Sequence, residues 1–351
     1  MLPVPFLKPC VYGICKLVEN YECSAVLCTA TQPVLDPLLR EFLPEASVRE
    51  MCPDPEQMYK DFRRVQYTDD GALSDEELIK QLRSKKQVLC VVNSRQQAQK
   101  LYQSLSDQEG AFHLSTMMTP YDRKSELELI RRRLKNGQKC IVISTSLIEA
   151  GVDVDFPEVY RALAGLDSII QAGGRCNREG MHPMEESVVH IFRADAKPPR
   201  MLEQNVSAAS RTLQKCEQAD SPEAIHDYFQ FLFYRLKDES QLDERDIIPS
   251  IKELKFKTIA EQFSIIDGAD YSVYIPVGEG KKLIEELQRE GPSRHLLRQL
   301  GQYTVNVYHN YFEELRLNGA IETISDHVGV LINRDLYSQK IGLPFTISEQ
   351  N

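Results

Sequence analysis

Two arginines three residues apart, Arg175 and Arg178, lie in the run Gln171-Ala172-Gly173-Gly174-Arg175-Cys176-Asn177-Arg178-Glu179-Gly180. On a helix, positions three apart share a face, so the spacing predicts two guanidinium groups side by side. Such a pair can grip a triphosphate in bidentate fashion. Gly173-Gly174 permits close approach of a backbone. Inside a helix each glycine costs about 1 kcal/mol, so the pair needs a reason to exist. Paired arginines on a solvated helix face fit the same letters. A second run, Ser144-Thr145-Ser146-Leu147-Ile148-Glu149-Ala150-Gly151-Val152-Asp153-Val154-Asp155, follows an apolar stretch. It places hydroxyls and freed backbone N–H groups where a strand gives way to a short helix, a geometry suited to phosphate oxygens. Gly151 allows a tight turn, and Asp153 can accept from a ribose hydroxyl. A capped turn between two core strands is the plainer alternative. A third run, Thr29-Ala30-Thr31-Gln32-Pro33, puts two small hydroxyls at the predicted end of a strand. Open α/β sheets bind ligands at that edge, although a solvated turn stopped by Pro would look the same.

The elements that must position these groups are readable from periodicity. Val26–Thr31, Gln87–Asn93, Ala111–Ser115, Lys139–Thr145, Glu158–Ala162 and Ser187–Phe192 are predicted strands. A helix is expected from Arg95 to Leu105. Pro120 opens another with Leu127, Ile130 and Leu134 on one stripe, closed by Asn136-Gly137. Strands alternating with helices imply βαβ units and a mostly parallel sheet. After Ala194 the pattern breaks at Pro198-Pro199. Helices are expected over roughly 201–218 and 222–237, and Asp238–Asp246 suits a linker. A small mixed region follows: strands at Tyr271–Val277 and Tyr303–Tyr308, helices near 280–300 and 309–318, and short strands to Ile332. The fold class is therefore α/β, followed by a helical connector and a small α+β domain, with boundaries near 50, 200 and 265.

Composition narrows the options. The 351 residues are 42% hydrophobic and 27% charged, which excludes disordered and fibrous chains. No apolar run reaches the ~20 residues that span a bilayer. The opening MLPVPFLKPC lacks the form of a secretory signal, so a cytoplasmic location is expected. The formal net charge of −10 excludes a chain-wide basic surface but leaves room for a local groove. Nine cysteines, an odd number, argue against a disulfide framework. Cys10, Cys15, Cys23 and Cys28 form two C-x4-C pairs, which are expected to be idle or buried thiols rather than a metal site. Arg131-Arg132-Arg133 with Lys135 reads as a solvated face, and the stripe from Tyr228 to Tyr234 as packing.

Taken in order, T-A-T-Q-P, S-T-S-L-I-E-A-G-V-D-V-D-F and Q-A-G-G-R-C-N-R-E-G resemble motifs III, V and VI of superfamily 2 helicases. The details E-x-G-V-D-x-D-F and Q-x-x-G-R-x-N-R-x-G look like the CRISPR-associated helicase-nuclease of type I systems. Gln302–Tyr308 is similar to a segment of that family's C-terminal accessory domain. The resemblance runs from about Tyr21 nearly to the end and implies roles. Arg178 would be the arginine finger at the γ-phosphate, with Arg175 beside it and Gln171 orienting the site. Glu149, Gly151 and Asp153 would meet the nucleotide, Asp153 at the ribose. Thr29 and Thr31 would couple hydrolysis to movement. Asn93, Ser94 and Thr145 would hold the backbone of single-stranded DNA. Leu147 stands where many relatives have Gln.

The resemblance also implies ATP and Mg²⁺ as cofactors. It implies single-stranded DNA, an RNA-guided surveillance complex and an N-terminal helicase-nuclease half as partners, with no membrane. The sequence has no G-x-x-x-x-G-K-[ST] and no D-E-x-H or D-E-x-D box; Gly278–Lys282 lacks the required spacing. The sole His-Asp pair, His226-Asp227, falls in an aromatic helix, whereas a metal site needs several converging ligands. The expected layout is residues 1–50 as a remnant of the first RecA-like domain carrying its last strand, 51–200 as the second RecA-like domain, 201–265 as connector and 266–351 as accessory domain. This is the motor half of an ATP-dependent DNA translocase in CRISPR interference, inactive alone. The alternatives are a non-catalytic module binding DNA or the complex, and a fragment of an RNA helicase or restriction translocase.

Overall fold

In a computed structural model, residues 4–45, 48–234, 239–264 and 271–345 are described. The chain divides into two compact units. One comprises Met1–Tyr67, Leu163–Gln171 and Arg200–Gly268; the other comprises Thr68–Ala162, Ala172–Pro199 and Ala269–Asn351. No helix among the described residues is long and apolar enough to cross a membrane.

The second unit carries a six-stranded sheet built from β1 (Gln66–Leu73), β2 (Gln87–Val91), β3 (Ala111–Leu114), β4 (Cys140–Ser144), β5 (Glu158–Ala162) and β6 (Val188–Ala194). The order is β1-β6-β5-β2-β4-β3, and β2 to β6 run parallel. All of β4 and all of β2 after Gln87 are buried. That is why these strands read as unbroken apolar runs rather than alternating ones. The crossover helices start where side-chain oxygens cap free N–H groups. Ser94 caps Arg95–Leu105, and Thr119, followed by Pro120, caps Pro120–Lys135. Ser74 and Glu77 form a reciprocal capping box on Asp75–Ser84. That helix and β1 go beyond the sequence expectation.

The same unit holds a four-stranded sheet of β7 (Tyr271–Tyr274), β8 (Thr304–Val307), β9 (Ile321–Ser325) and β10 (Val328–Leu331), in the order β8-β7-β10-β9. Helices Gly280–Glu290, Arg294–Leu300 and His309–Leu317 accompany it. Its core joins Val273, Val305, Phe312 and Leu315 to Met117 of the larger sheet's loops and to Leu343 of the tail. The tail is tied down by backbone and side chain. Leu343 N donates to Met117 O at 2.9 Å, and Gln99 Nε2 donates to Leu343 O at 2.7 Å. The Tyr337 hydroxyl donates to Asp122 Oδ2 at 2.6 Å. Gly278 and Gly280 pack against Tyr121 and Tyr303 and form no phosphate loop.

The first unit is helical, with Leu7–Tyr21, Asp36–Phe42, Pro55–Phe62, Glu203–Leu213, Pro222–Tyr234, Ile247–Lys252 and Phe256–Gln262. The expected strand at Val26–Thr31 is absent: residues 22–31 are irregular and Val26 is exposed. An apolar run becomes a strand only with a ladder partner for its backbone groups, and no strand neighbours it among the described residues. Cys10 and Cys15 lie on the Leu7–Tyr21 helix, whereas Cys23 and Cys28 are exposed in that irregular stretch. The expected helices over 201–218 and 222–237 run as Glu203–Leu213 and Pro222–Tyr234. Residues 235–237, Asp238 and the boundary near 265 lie outside the described residues. Tyr228, Phe229 and Phe233 are buried, so the aromatic stripe is packing. Asp227 clamps two helices by accepting from Arg211, Thr212 and Lys215 at 2.8–3.1 Å.

Candidate functional site

The two glycine-containing runs meet at the N-terminal ends of β5 and β6, where Phe156 pairs with Cys176 and the Cys176 thiol faces Pro157 O and Val188 O. The helix Leu166–Gly173 ends at the glycine pair, so Arg175 and Arg178 do not share a helix face. Instead the chain turns and pairs with the other run. Phe156 N donates to Arg175 O, and Asn177 N donates to Phe156 O, each at 2.9 Å. Asn177 takes the left-handed conformation at φ 46°, which Asn tolerates better than most residues. Its side-chain amide donates to His182 O at 2.8 Å. Asp155 closes the turn by accepting from the backbone N–H of Arg178 at 2.7 Å and of Glu179 at 3.2 Å.

This turn sends the arginines opposite ways. Arg175 is buried; its Nε donates to Ile148 O at 3.0 Å and its Nη2 to Glu149 O. Burial, reinforced by nearby Arg178, lowers its pKa from the ordinary value. The expected two-arginine grip is therefore reduced to one, because Arg175 is occupied as a brace under the neighbouring turn. Arg178 keeps 44% of its side chain exposed, and its Nε lies 2.9 Å from Asp153 Oδ1. A pair this open is worth little in water and can exchange for a phosphate. Asp153 is also held through its carbonyl, which accepts from Arg131 Nε at 2.9 Å. Gly151 adopts φ +71° with open space where a side chain would stand. Cys176, between the arginines, is buried, and desolvation pushes its thiol up to about 12, so it stays a thiol.

The other expected residues scatter more. Glu149 is buried and paired with Arg161 of β5 at 3.0 Å, so its carboxylate supports the fold instead of facing a nucleotide. Gln171 sits near the end of the Leu166–Gly173 helix, partly exposed. Asn93, Ser94 and Thr145 do come together, because β2 and β4 pair in register with Val91 opposite Ser144. Asn93 Oδ1 accepts from Arg161 at 2.8 Å, and Ser94 Oγ accepts from Gln97 N at 3.1 Å. Thr29 and Thr31 form a local turn, with Thr31 N donating to Thr29 Oγ1 at 3.3 Å. Among the described residues no group of three or more His, Cys, Asp or Glu could hold a metal ion.

Beside the Asn93–Thr145 edge opens a groove of about 570 Å³, lined among others by Arg95, Arg123, Ser272, Asn306 and Tyr308. Arg95 stacks on the exposed Tyr308 ring at 4.9 Å. Arg161, Asp155 and Tyr308 were not singled out from sequence. The signal for Arg161 is a charge inside an apolar strand run, since buried arginines require partners.

The class defined by this fold is an α/β domain on a mostly parallel six-stranded sheet, bearing a small α+β domain. Residues 84–181 match the family model described as CRISPR-associated nuclease/helicase Cas3, C-terminal. The CRISPR-associated nuclease/helicase Cas3 of Haloferax volcanii is 46% identical over 65 residues, covering 18% of this chain and 7% of its own. The Cas3 of Methanothermobacter thermautotrophicus is 28% identical over 209 residues, covering 55% and 25%. Among solved structures, T. fusca Cas3-AMPPNP superposes with a TM-score of 0.57 at 14% identity, over 93% of this chain and 49% of that one. A chain of a CRISPR RNA-guided surveillance complex, pre-nicking, gives 0.55 at 12% identity, over 97% and 54%. The chain is thus similar, over residues 84–181, to the C-terminal region of Cas3. Its matches span a quarter or less of the length of these curated relatives.

Proposed function

We propose that this chain supplies the second-lobe side of an ATP-dependent single-stranded DNA translocase acting in CRISPR interference. In this reading residues 51–200 are the lobe, 201–265 the connector and 266–351 the accessory domain. Thr29 and Thr31 belong to the coupling segment. The observation that carries the reading is Arg178, fixed by Asp155 and left exposed beside Asp153. Phosphoryl transfer needs a P-loop and Mg²⁺ on one side and an arginine finger on the other. This sequence contains no P-loop, so the P-loop and the Mg²⁺ carboxylates come from a first RecA-like lobe, which completes the enzyme. Gly151 and Asp153 line the nucleotide, Asp153 at the ribose. Asn93, Ser94 and Thr145, continued by the Arg95–Tyr308 groove, form the track for single-stranded DNA. ATP is the fuel, and an RNA-guided surveillance complex recruits the enzyme.

The test joins this chain to a polypeptide carrying the P-loop lobe and measures ATP hydrolysis with and without single-stranded DNA. DNA-stimulated turnover is expected from the pair and none from this chain alone. Arg178→Ala should reduce kcat by about 10³-fold or more. Stimulation by DNA that survives Arg178→Ala overturns the assignment.

A further inference from the structure

A buried ionic chain runs through the sheet between the two edges just described. Arg161 lies on β5, between β6 and β2, and is only 1% exposed. Its Nε contacts Glu149 Oε1 at 3.0 Å, while its Nη1 donates to Asn93 Oδ1 and to Ala162 O, each at 2.8 Å. Glu149 in turn opens the turn that leads through Gly151 to Asp153, and Arg175 braces its carbonyl. One guanidinium therefore holds Asn93, two residues past the end of β2, and Glu149, the residue that begins the nucleotide turn. Buried ion pairs are weak contributors to stability, and a well-packed apolar pair often does as well. Their best-attested use is to enforce one arrangement over another. A planar fork with five donors can bridge several acceptors at fixed angles; an ammonium cannot.

We propose that Arg161 is a positioning residue that couples occupancy of the Asn93–Thr145 edge by single-stranded DNA to the conformation of the Glu149–Asp153 turn. A strand that draws on Asn93 shifts its amide. Arg161 follows, and Glu149 moves with it, which resets Asp153 and the Arg178 it faces. Arg161 bonds both ends, Glu149 and Asn93, and so gives a physical link between them. The inference rests on the functional reading above only in taking the Asn93 edge as the DNA track.

The experiment is hydrogen–deuterium exchange on the full chain, with oligodeoxythymidylate as probe, read on peptides spanning 146–155. In the wild type the oligonucleotide should slow exchange there by about fivefold or more, the lower end of allosteric coupling. Arg161→Lys keeps a cation against Glu149 but cannot span Asn93 and Ala162 O as well. It should melt below the wild type but remain folded at the assay temperature, bind the oligonucleotide within about threefold, and lose the protection at 146–155. Arg161→Met should lose it too. A wild-type chain that binds the probe without any change at 146–155 overturns the relay alone, as does undiminished protection in Arg161→Lys. A wild-type chain that does not bind the probe overturns the functional reading, and the relay with it.

Discussion

Substituting Arg175 and Arg178 separately divides two jobs that their spacing suggested they shared. Arg178 is exposed and pairs with the still more exposed Asp153, so Arg178→Ala should melt within about 1 °C of the wild type, as surface changes do. Arg175→Ala strips two buried carbonyls of their donor, and each loss costs about 1–3 kcal/mol. It should therefore lower the melting temperature by several degrees. The motif letters located both arginines. They could not show that Arg175 turns inward, because that depends on Phe156, nineteen positions earlier, pairing with the segment. His113 gives a second test at this scale. It is 1% exposed, beside the Tyr102 ring, and burial lowers its pKa from 6.5 to about 4. Below pH 6.5 the unfolded chain takes up a proton that the native chain refuses. Stability is thus fully present above that pH and falls as pH drops toward 4, by at most about 3 kcal/mol. Thermal melts of His113→Phe should show a flatter profile across that window. An unchanged slope means that His113 is not the titrating group.

At the scale of elements, the tail segment after Tyr337 works as a strap whose hold is measurable. Gly342 adopts φ +83°, and a Cβ built there would lie 2.1 Å from Met117 O. Gly342→Ala therefore forces the strap off its seat. The cost should be at least about 2 kcal/mol in urea unfolding, from backbone strain and a lost buried hydrogen bond. Pattern reading located β2 to β6 within a residue or two because β2 to β5 are buried beyond their first residue or entirely and β6 keeps buried Val189, Ile191 and Phe192, so apolar runs mark them. It missed β1, whose residues Gln66–Leu73 are mostly polar and only partly buried at the sheet edge. It missed Asp75–Ser84 although the Ser74–Glu77 box was present in the letters. It overcalled Val26–Thr31, where propensity had no partner to act on.

For the whole molecule, the net charge of −10 sets the terms on which a polyanion is met. Any attraction must come from a few cations in a groove, and Arg95 and Arg123 are those that line it. Single strands release about 0.7 counterion per phosphate contact. A plot of log affinity against log salt for oligodeoxythymidylate should then have a slope of about −1 to −3. A slope much steeper than that would locate the track on a larger basic surface. Charge totals were legible from composition. Which few arginines converge was not, because Arg95 and Tyr308 lie far apart in sequence and meet only through the fold.

The strap also bears on how the protein is made. Gln99 Nε2 donates to Leu343 O while its Oε1 accepts from Phe345 N, and both partners lie more than two hundred residues downstream. A nascent chain that has already built the larger sheet keeps Gln99 and the Met117 loop bare until the ribosome has extruded the more than two hundred residues that separate them from Leu343 and Phe345. Until residues 343–345 emerge during synthesis that patch is an exposed apolar face, so slow elongation through the stretch that encodes them should increase capture by holdase chaperones. Release of the tail then becomes the step that lets the unit close.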